Sequence, residues 1–305
     1  MKKRIFDWIV YDLVLKTFVI FIILSMIVGY FLYISPGKVD LTVPVRLETT
    51  EDIKHSKDSH FFAFYGRWLN NIMNGNLGRT ISGKMVHIEL NERIKVTSFL
   101  TLGALLLSFF ISFLSGLYLI RKSKYRIVNI LQGSIFVITA LPTFFLAYIS
   151  IALFSVKFNS AFSFILPIII LASGDGLISE LSRIVSLGIK EEYNQPYIET
   201  AIAKGLKQSA FFPWPGTTLY HAFRQAVITI LPRMGLRIPQ IAGLSMVVEK
   251  IFSLEGLGDM LLDGLGTKDI NCVLIVVTYF CLLIRFLNLS NGLLITTLNP
   301  KSRKY

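Results

Sequence analysis

Charge is scarce in this chain. Asp, Glu, Lys and Arg make up 16% of its 305 residues, against 53% hydrophobic ones, whereas soluble domains carry about a quarter charged residues. That balance belongs to an integral membrane protein. Cysteine is rare too, with Cys272 and Cys281 nine positions apart on one expected helix. At about 1.5 Å rise per residue they stand too far apart for a disulfide, whose Cα atoms lie within about 7 Å, so they read as two small buried hydrophobes. The four histidines, His55, His60, His87 and His221, are scattered through polar stretches without metal-ligand spacing. They read as solvated loop residues, and no metal site is expected. Gly37-Lys38 and Gly83-Lys84 lack the spacing and the following hydroxyl of a phosphate loop. No Ser/His/Asp set is suggested by position, so no catalytic residue is expected, and an integral membrane enzyme would need one. There is no internal repeat of the kind that often marks a stand-alone secondary transporter.

Long apolar runs are what the chain does have. Six segments, roughly 12–34, 96–120, 127–156, 163–186, 226–248 and 270–297, reach the length of about 20 residues that a spanning helix needs. Backbone polar groups cannot stay unpaired in hydrocarbon, so these segments must be helices. The formal charge of +12 sits largely at segment ends. Lys2, Lys3 and Arg4 precede the first, Arg121, Lys122, Lys124 and Arg126 fill a short connection, and Lys301, Arg303 and Lys304 close the sequence. With six crossings all three groups fall on one side, which the positive-inside rule makes cytoplasmic, together with both termini. Basic charge so placed speaks for a membrane surface and against nucleic acid. The first apolar run is longer than a signal-peptide core and lacks a small-residue cleavage site, so an uncleaved first span is expected.

Between the spans lie three polar elements. The outer loop, 35–94, carries Phe61, Phe62, Phe64, Tyr65 and Trp68, a spacing that suits an amphipathic helix lying at the outer surface. Gly75-Asn76-Leu77-Gly78 reads as a turn, and 84–95 as a short polar helix leading into the second span. A second outer connection, 249–269, is compact and rich in glycine (Gly256, Gly258, Gly264, Gly266). The third element, Pro196 to Arg224, is polar and helix-compatible between two apolar segments. A sizeable structured loop on one membrane face implies docking onto something soluble. A membrane protein with a docking element and no energy-converting site is expected to be one subunit of a larger machine.

The residues of that loop carry a resemblance. Tyr197-Ile198-Glu199-Thr200-Ala201-Ile202-Ala203-Lys204-Gly205-Leu206 resembles the Glu-Ala-Ala-x-x-x-Gly core of permease subunits in the dipeptide/oligopeptide/nickel ABC importer family. Small residues at 201 and 203 let a short helix sit closely in a groove, and Gly205 permits a tight reversal. Further matches follow in order: Gly75-Asn76-Leu77-Gly78 with Val86, Arg93 and Thr97; Ala140-Leu141-Pro142-Thr143-Phe144; His221-Ala222-Phe223-Arg224-Gln225-Ala226; Glu249-x-x-Phe252-Ser253-x-x-Gly256-Leu257-Gly258 with Asp269; and Leu298-Asn299-Pro300-Lys301-Ser302-Arg303. The chain departs from the family pattern in three places. A few extra residues, including Pro213-Trp214-Pro215-Gly216, fall within Ser209–Tyr220. Thr229 stands where the family has proline, with Pro232 displaced by three positions, and Glu255 replaces the proline of Pro-Gly-Leu-Gly.

The resemblance implies an all-α, Type I importer permease of six transmembrane helices. Its parts would be a cytoplasmic segment with the first span (1–34), an extracytoplasmic loop (35–95), and a permease core (96–305) with a coupling loop at 187–225. Tyr197, Glu199, Ala201, Ala203, Lys204 and Gly205 would dock on a cytoplasmic ATPase. Glu249, Phe252, Gly256, Gly258 and Asp269 would form an outer gate. The implied partners are a second, homologous permease, two ATPase subunits and an extracytoplasmic solute-binding protein in a bacterial or archaeal cytoplasmic membrane. ATP and Mg would bind the ATPases, and no cofactor would bind this chain. Short peptides are the expected cargo, with nickel or a metal-chelator complex as the alternative, and a stand-alone secondary transporter as the alternative of another class.

Several charges fall inside apolar segments. Arg233 and Arg237, spaced i, i+4, share one face of the fifth segment; Asp175, Glu180 and Arg183 occupy the fourth and Arg285 the sixth. A charge at the bilayer centre costs about 2.5–3.5 kcal/mol on insertion scales, so these groups must face protein or water. Arg233 and Arg237, with Asp175 and Glu180, are candidates for lining the translocation pathway, where the arginines would attract an anionic part of the cargo. The alternative is that the arginines pair with Asp175 or Glu180, or that Arg233 reaches the cytoplasmic interface.

Overall fold

The computed structural model describes residues 17–34, 61–80, 83–120, 133, 137, 139–154, 162–193, 195–204 and 217–298. Among these, regular structure is helical: α1 (Thr17–Ile34), α2 (Phe61–Met73), α3 (Val86–Ile120), α4 (Thr143–Phe154), α5 (Phe162–Ser173), α6 (Leu177–Tyr193), α7 (Pro196–Ala203), α8 (Thr217–Ile251), α9 (Leu257–Thr267) and α10 (Ile270–Leu298). A single antiparallel bridge, Arg79 to Met85, is the β pairing among them. The basic groups at 2–4, 121–126 and 301–304, together with His55, His60, Gly205 and Pro213–Gly216, lie outside the described residues.

Two helices, α3 and α10, are each long and apolar enough to cross a bilayer, and α5 with α6 qualifies as one bent span. Helices α1 and α4 are apolar but shorter. Helix α8 is 35 residues long and carries Pro232 and Pro239 in its interior. The chain divides into two compact units, Met1–Phe99 with Ser245–Phe286 and Leu100–Leu244 with Leu287–Tyr305.

In the first unit the aromatic helix α2 is packed against protein. Phe61, Phe64, Tyr65 and Trp68 are buried, with only Phe62 of the cluster turned out. Tyr65 stacks between Phe61 and Trp68, with ring centroids at 5.9 and 5.6 Å. The partner surface is α1: the Tyr65 hydroxyl lies 2.7 Å from Ser25 Oγ and donates to the Ile22 carbonyl at 3.2 Å. Gly29 of α1 is where the Phe61 ring comes close, 3.0 Å from the position a Cβ would take. Trp68 Nε1 donates to Asn271 Oδ1 at 3.1 Å, and Asn271 Nδ2 donates to the Leu77 carbonyl at 3.1 Å. The amphipathic face expected at the outer surface is thus sealed by α1 and the head of α10. The expected turn after α2 is present, with Gly75 and Gly78 at φ of 76° and 71°.

In the second unit, small residues bring helices together. A Cβ at Gly116 of α3 would meet Val185 at 2.6 Å and the Ser182 carbonyl at 2.8 Å, so only glycine allows this approach to α6. Ser115 and Ser182 share a hydrogen bond across the same seam. The fourth apolar segment is not one straight helix: α5 and α6 meet at a 56° bend. The bend is Gly174-Asp175-Gly176, where Asp175 and Gly176 have φ of 54° and 71°. Freed amides find carbonyls on the neighbouring stretch of chain, Asp175 N–H to Leu141 at 3.1 Å and Gly176 N–H to Thr139 at 2.7 Å. Such a break is tolerated at membrane depth because its polar groups are satisfied by protein. At Gly174 a Cβ would fall 2.0 Å from Thr143 Oγ1, which leaves no room for any side chain.

Candidate functional site

Three groups of residues carry chemistry. The first is the loop between α6 and α8. There α7 is a discrete two-turn helix that starts on Pro196, a residue whose fixed φ and missing N–H suit the first helical position. Its turns are closed by Thr200 Oγ1, which donates to the Pro196 carbonyl at 3.0 Å, and by Lys204 N–H to the Thr200 carbonyl at 3.1 Å. Glu199, Ala203 and Lys204 are exposed. Tyr197 and Ala201 lie on the same helix, and Gly205 follows just beyond the described stretch. The start of α8 is tied down by Arg224, whose Nη2 and Nε donate to the Leu298 carbonyl at the end of α10 at 2.8 and 3.3 Å.

The second group is the glycine-rich connection after α8. Glu249, one residue past the apolar segment 226–248, is fully buried. Its Oε2 accepts from Gly258 N–H at 2.7 Å, while Oε1 has no hydrogen-bond partner among the described residues. Thr97 of α3 bridges the site: its hydroxyl bonds to Glu249, and its oxygen accepts from Leu257 N–H at 2.8 Å. Cβ atoms at Gly256 and Gly258 would sit 2.2 Å from Glu249 Oε2 and 2.2 Å from Met246 Cα, so glycine at both positions is a packing requirement. Among the described residues no cation pairs with this carboxyl. Arg93 binds Asp259 at 3.1 Å and Glu89 at 2.9 Å, and Lys250 binds Asp259 and Asp263 at 2.9 and 2.7 Å. Burial therefore pushes Glu249 up from its ordinary 4.5 to about 7, against hydrogen bonds from Thr97, Gly258 and Asp259 that pull it down. Lys250, held between two carboxylates, is pushed up to about 12. Asp269 acts apart from this cluster. Its Oδ1 accepts from Cys272 N–H at 2.9 Å and caps the first turn of α10. Phe252 is half-buried where the helix closes, its N–H bonded to the Val248 carbonyl at 3.0 Å.

The third group lies on α6 and α8. Arg237 is ion-paired with Glu180 and hydrogen-bonded to Gln240. Asp175 stands apart from both arginines' bonding and accepts from Thr143 Oγ1 at 2.6 Å at the bend. Arg233 is exposed. Of the sequence candidates, Glu249, Gly256 and Gly258 come together, and so do Glu180 and Arg237. Thr97, Glu89, Asp259 and Lys250 belong to the network around this loop, and spacing alone does not single them out as neighbours of Glu249 or of its loop. Their signal is weak, since Thr97 and Glu249 lie far apart in sequence.

The chain that carries these elements matches a known family. The family model described as binding-protein-dependent transport system inner membrane component matches residues 108–304. The chain belongs to this family. It is a membrane permease subunit of an ABC importer, and multi-pass. Among its relatives, the oligopeptide transport system permease protein AppB of Bacillus subtilis is 26% identical over 268 residues, covering 81% of this chain and 82% of the relative. The glutathione transport system permease protein GsiC of Escherichia coli strain K12 is 25% identical over 301 residues, covering 92% and 94%. A putative peptide transport system permease protein of Brucella abortus is 28% identical over 257 residues, covering 78% and 79%.

Proposed function

We propose that this permease forms half of an import pathway for short peptides. The reading is carried by one observation: relatives named for oligopeptide, glutathione and peptide transport align with the chain over most of their length. In this reading six helices cross the cytoplasmic membrane with both termini inside, and a second, homologous permease completes the pathway. Two ATPase subunits bind ATP and Mg, and one of them receives α7 through Tyr197, Glu199, Ala201, Ala203, Lys204 and Gly205. A solute-binding protein delivers cargo over the gate of Glu249, Phe252, Gly256, Gly258 and Asp269. Closure of the ATPases moves the coupling helix, and the permease alternates between outward-open and inward-open states that cargo and nucleotide stabilise unequally. Arg233, Arg237, Asp175 and Glu180 line or shape the path.

No observation favours a metal-chelate cargo or a stand-alone carrier. The test is reconstitution of the purified complex in proteoliposomes with labelled di- to pentapeptides. ATP-dependent peptide uptake and a stable complex with an ATPase are expected. Sustained uptake without ATP, or a chain that purifies alone and binds no ATPase, would overturn the reading.

A further inference from the structure

Helices α8 and α10 are fastened together at successive levels. Arg224, two turns into α8, donates through Nη2 and Nε to the carbonyl of Leu298, the last residue of α10, at 2.8 and 3.3 Å. Seven residues on along α8 and seven back along α10, Asn291 Nδ2 donates to the Leu231 carbonyl at 2.9 Å. Seven residues are about two helical turns, so both contacts fall on one face of each helix, and the pair runs antiparallel. One turn further along α8, the Asn291 amide lies 2.6 Å from where a Cβ of Gly235 would sit, with Asn288 Oδ1 at 3.5 Å. All of these residues belong to the second unit.

The Arg224 contact differs in kind from the other two, because it sets a full positive charge on the end of a helix. The last carbonyls of a helix have no intrahelical donor and form the negative end of its dipole. A guanidinium edge that gives two N–H groups to one such oxygen fixes direction as well as distance, which the point charge of an ammonium does not. Among the described residues Arg224 has no carboxylate partner, so no ion pair competes for it. Residues 205–216 join α7 to α8, and Arg224 lies at the end of α8 into which they lead.

We propose that Arg224 is a positioning residue for transport: it makes α8 and α10 move as one piece, so that a displacement received by α7 reaches both helices. The inference rests on the reading of α7 as the element that docks on an ATPase. Asn291 and Gly235 keep the pair in register, and Arg224 closes it at the end where the push arrives. Arg224 touches neither cargo nor nucleotide in this scheme, so its loss should uncouple the complex rather than inactivate it.

The complete complex in proteoliposomes is assayed for uptake of a labelled tripeptide and for ATP hydrolysis on the same sample. R224Q should co-purify with its ATPases and hydrolyse ATP as before, while uptake per ATP falls about tenfold, the factor that one lost charge-assisted hydrogen bond represents. R224K keeps the charge and a donor and should recover part of that loss. Uptake and hydrolysis falling together, with the ATPases lost on purification, would show a merely structural role and overturn the proposal. Unchanged uptake per ATP would overturn it too. If the unsubstituted complex shows no ATP-dependent uptake, the importer reading fails and a distance measurement decides the Arg224 tie. In a Cys272→Ser, Cys281→Ser background, spin labels are carried by Leu236→Cys and Leu294→Cys, at exposed positions on α8 and α10. One narrow distance distribution in the parent chain, broadened by R224Q, supports the fastening. Equal widths would refute it.

Discussion

Glu249 and Gly258 are joined by a 2.7 Å hydrogen bond from the glycine amide to Oε2, inside a site where the carboxyl is wholly buried and no described cation reaches it. The same glycine has no room for a Cβ, because Met246 Cα would lie 2.2 Å from it. The loop closes over the carboxyl and favours its neutral form.

A pH dependence follows, with a definite sign. The charged group that acts on Glu249 is Asp259 on α9, and Asp259 is itself paired with Arg93 and Lys250, which also bind Glu89 and Asp263. Glu249 is raised from 4.5 to about 7 in the closed loop, so its contribution to closure is full below about 4.5 and is lost as pH rises through about 7. Hydrogen exchange at the Leu257 and Gly258 amides, corrected for intrinsic rate, should show several-fold weaker protection at pH 8 than at pH 6. Glu249→Gln should flatten that dependence. A flat profile in the unsubstituted protein would remove the effect.

Glycines of α9 should separate cleanly by position. Gly258→Ala forces a Cβ into the α8 backbone and should destabilise the complex by about 1–3 kcal/mol, the usual cost of overpacking. Nothing lies within 4 Å of the Cβ position at Gly266, so Gly266→Ala should be neutral or slightly stabilising as a better helix former. Thermal unfolding of the two variants in detergent checks the pair.

Trp68→Phe should cost about 1–3 kcal/mol, because Asn271 Oδ1 is then left buried without its donor. Phe62→Ala, on the exposed side of the same helix, should change thermal stability by less than about 0.5 kcal/mol. Similar losses in both would show that α2 is not anchored through its indole.

On α7, Ala203 is exposed and small. Ala203→Trp should reduce ATPase co-purification about tenfold or more, while the chain still inserts and binds its partner permease. Unchanged ATPase recovery would place the docking surface elsewhere. The magnitude is that expected when a bulky side chain is forced into a packed interface centre, about 1.4 kcal/mol or more.

Much of this architecture is legible in the residues. Apolar runs announce α3 and α10, and the Tyr197–Leu206 pattern announces a separate short helix, found as α7 from Pro196 to Ala203. Pairing of Arg237 is one of two readings its sequence context allows, and Glu180 is the partner. The bend at Asp175 escapes hydropathy, which averages over a window and is blind to backbone φ; the Gly-Asp-Gly triplet is the available signal. The burial of Phe61, Phe64, Tyr65 and Trp68 is hidden for another reason. An amphipathic face looks identical whether it meets lipid or another helix, and here its contacts with Ser25 and Gly29 on α1 and with Asn271 on α10 decide the matter. Thr97 and Glu249 meet across a sequence separation that no local pattern spans.

The corner at Gly174–Gly176 carries one more consequence. Its amides bond to Leu141 and Thr139, and the Asp175 carboxylate to Thr143, so straightening the fourth segment would break three links together. Such a corner acts as a welded bracket. During the transport cycle α4, α5 and α6 should therefore travel as one rigid piece, and flexing has to be absorbed at other joints.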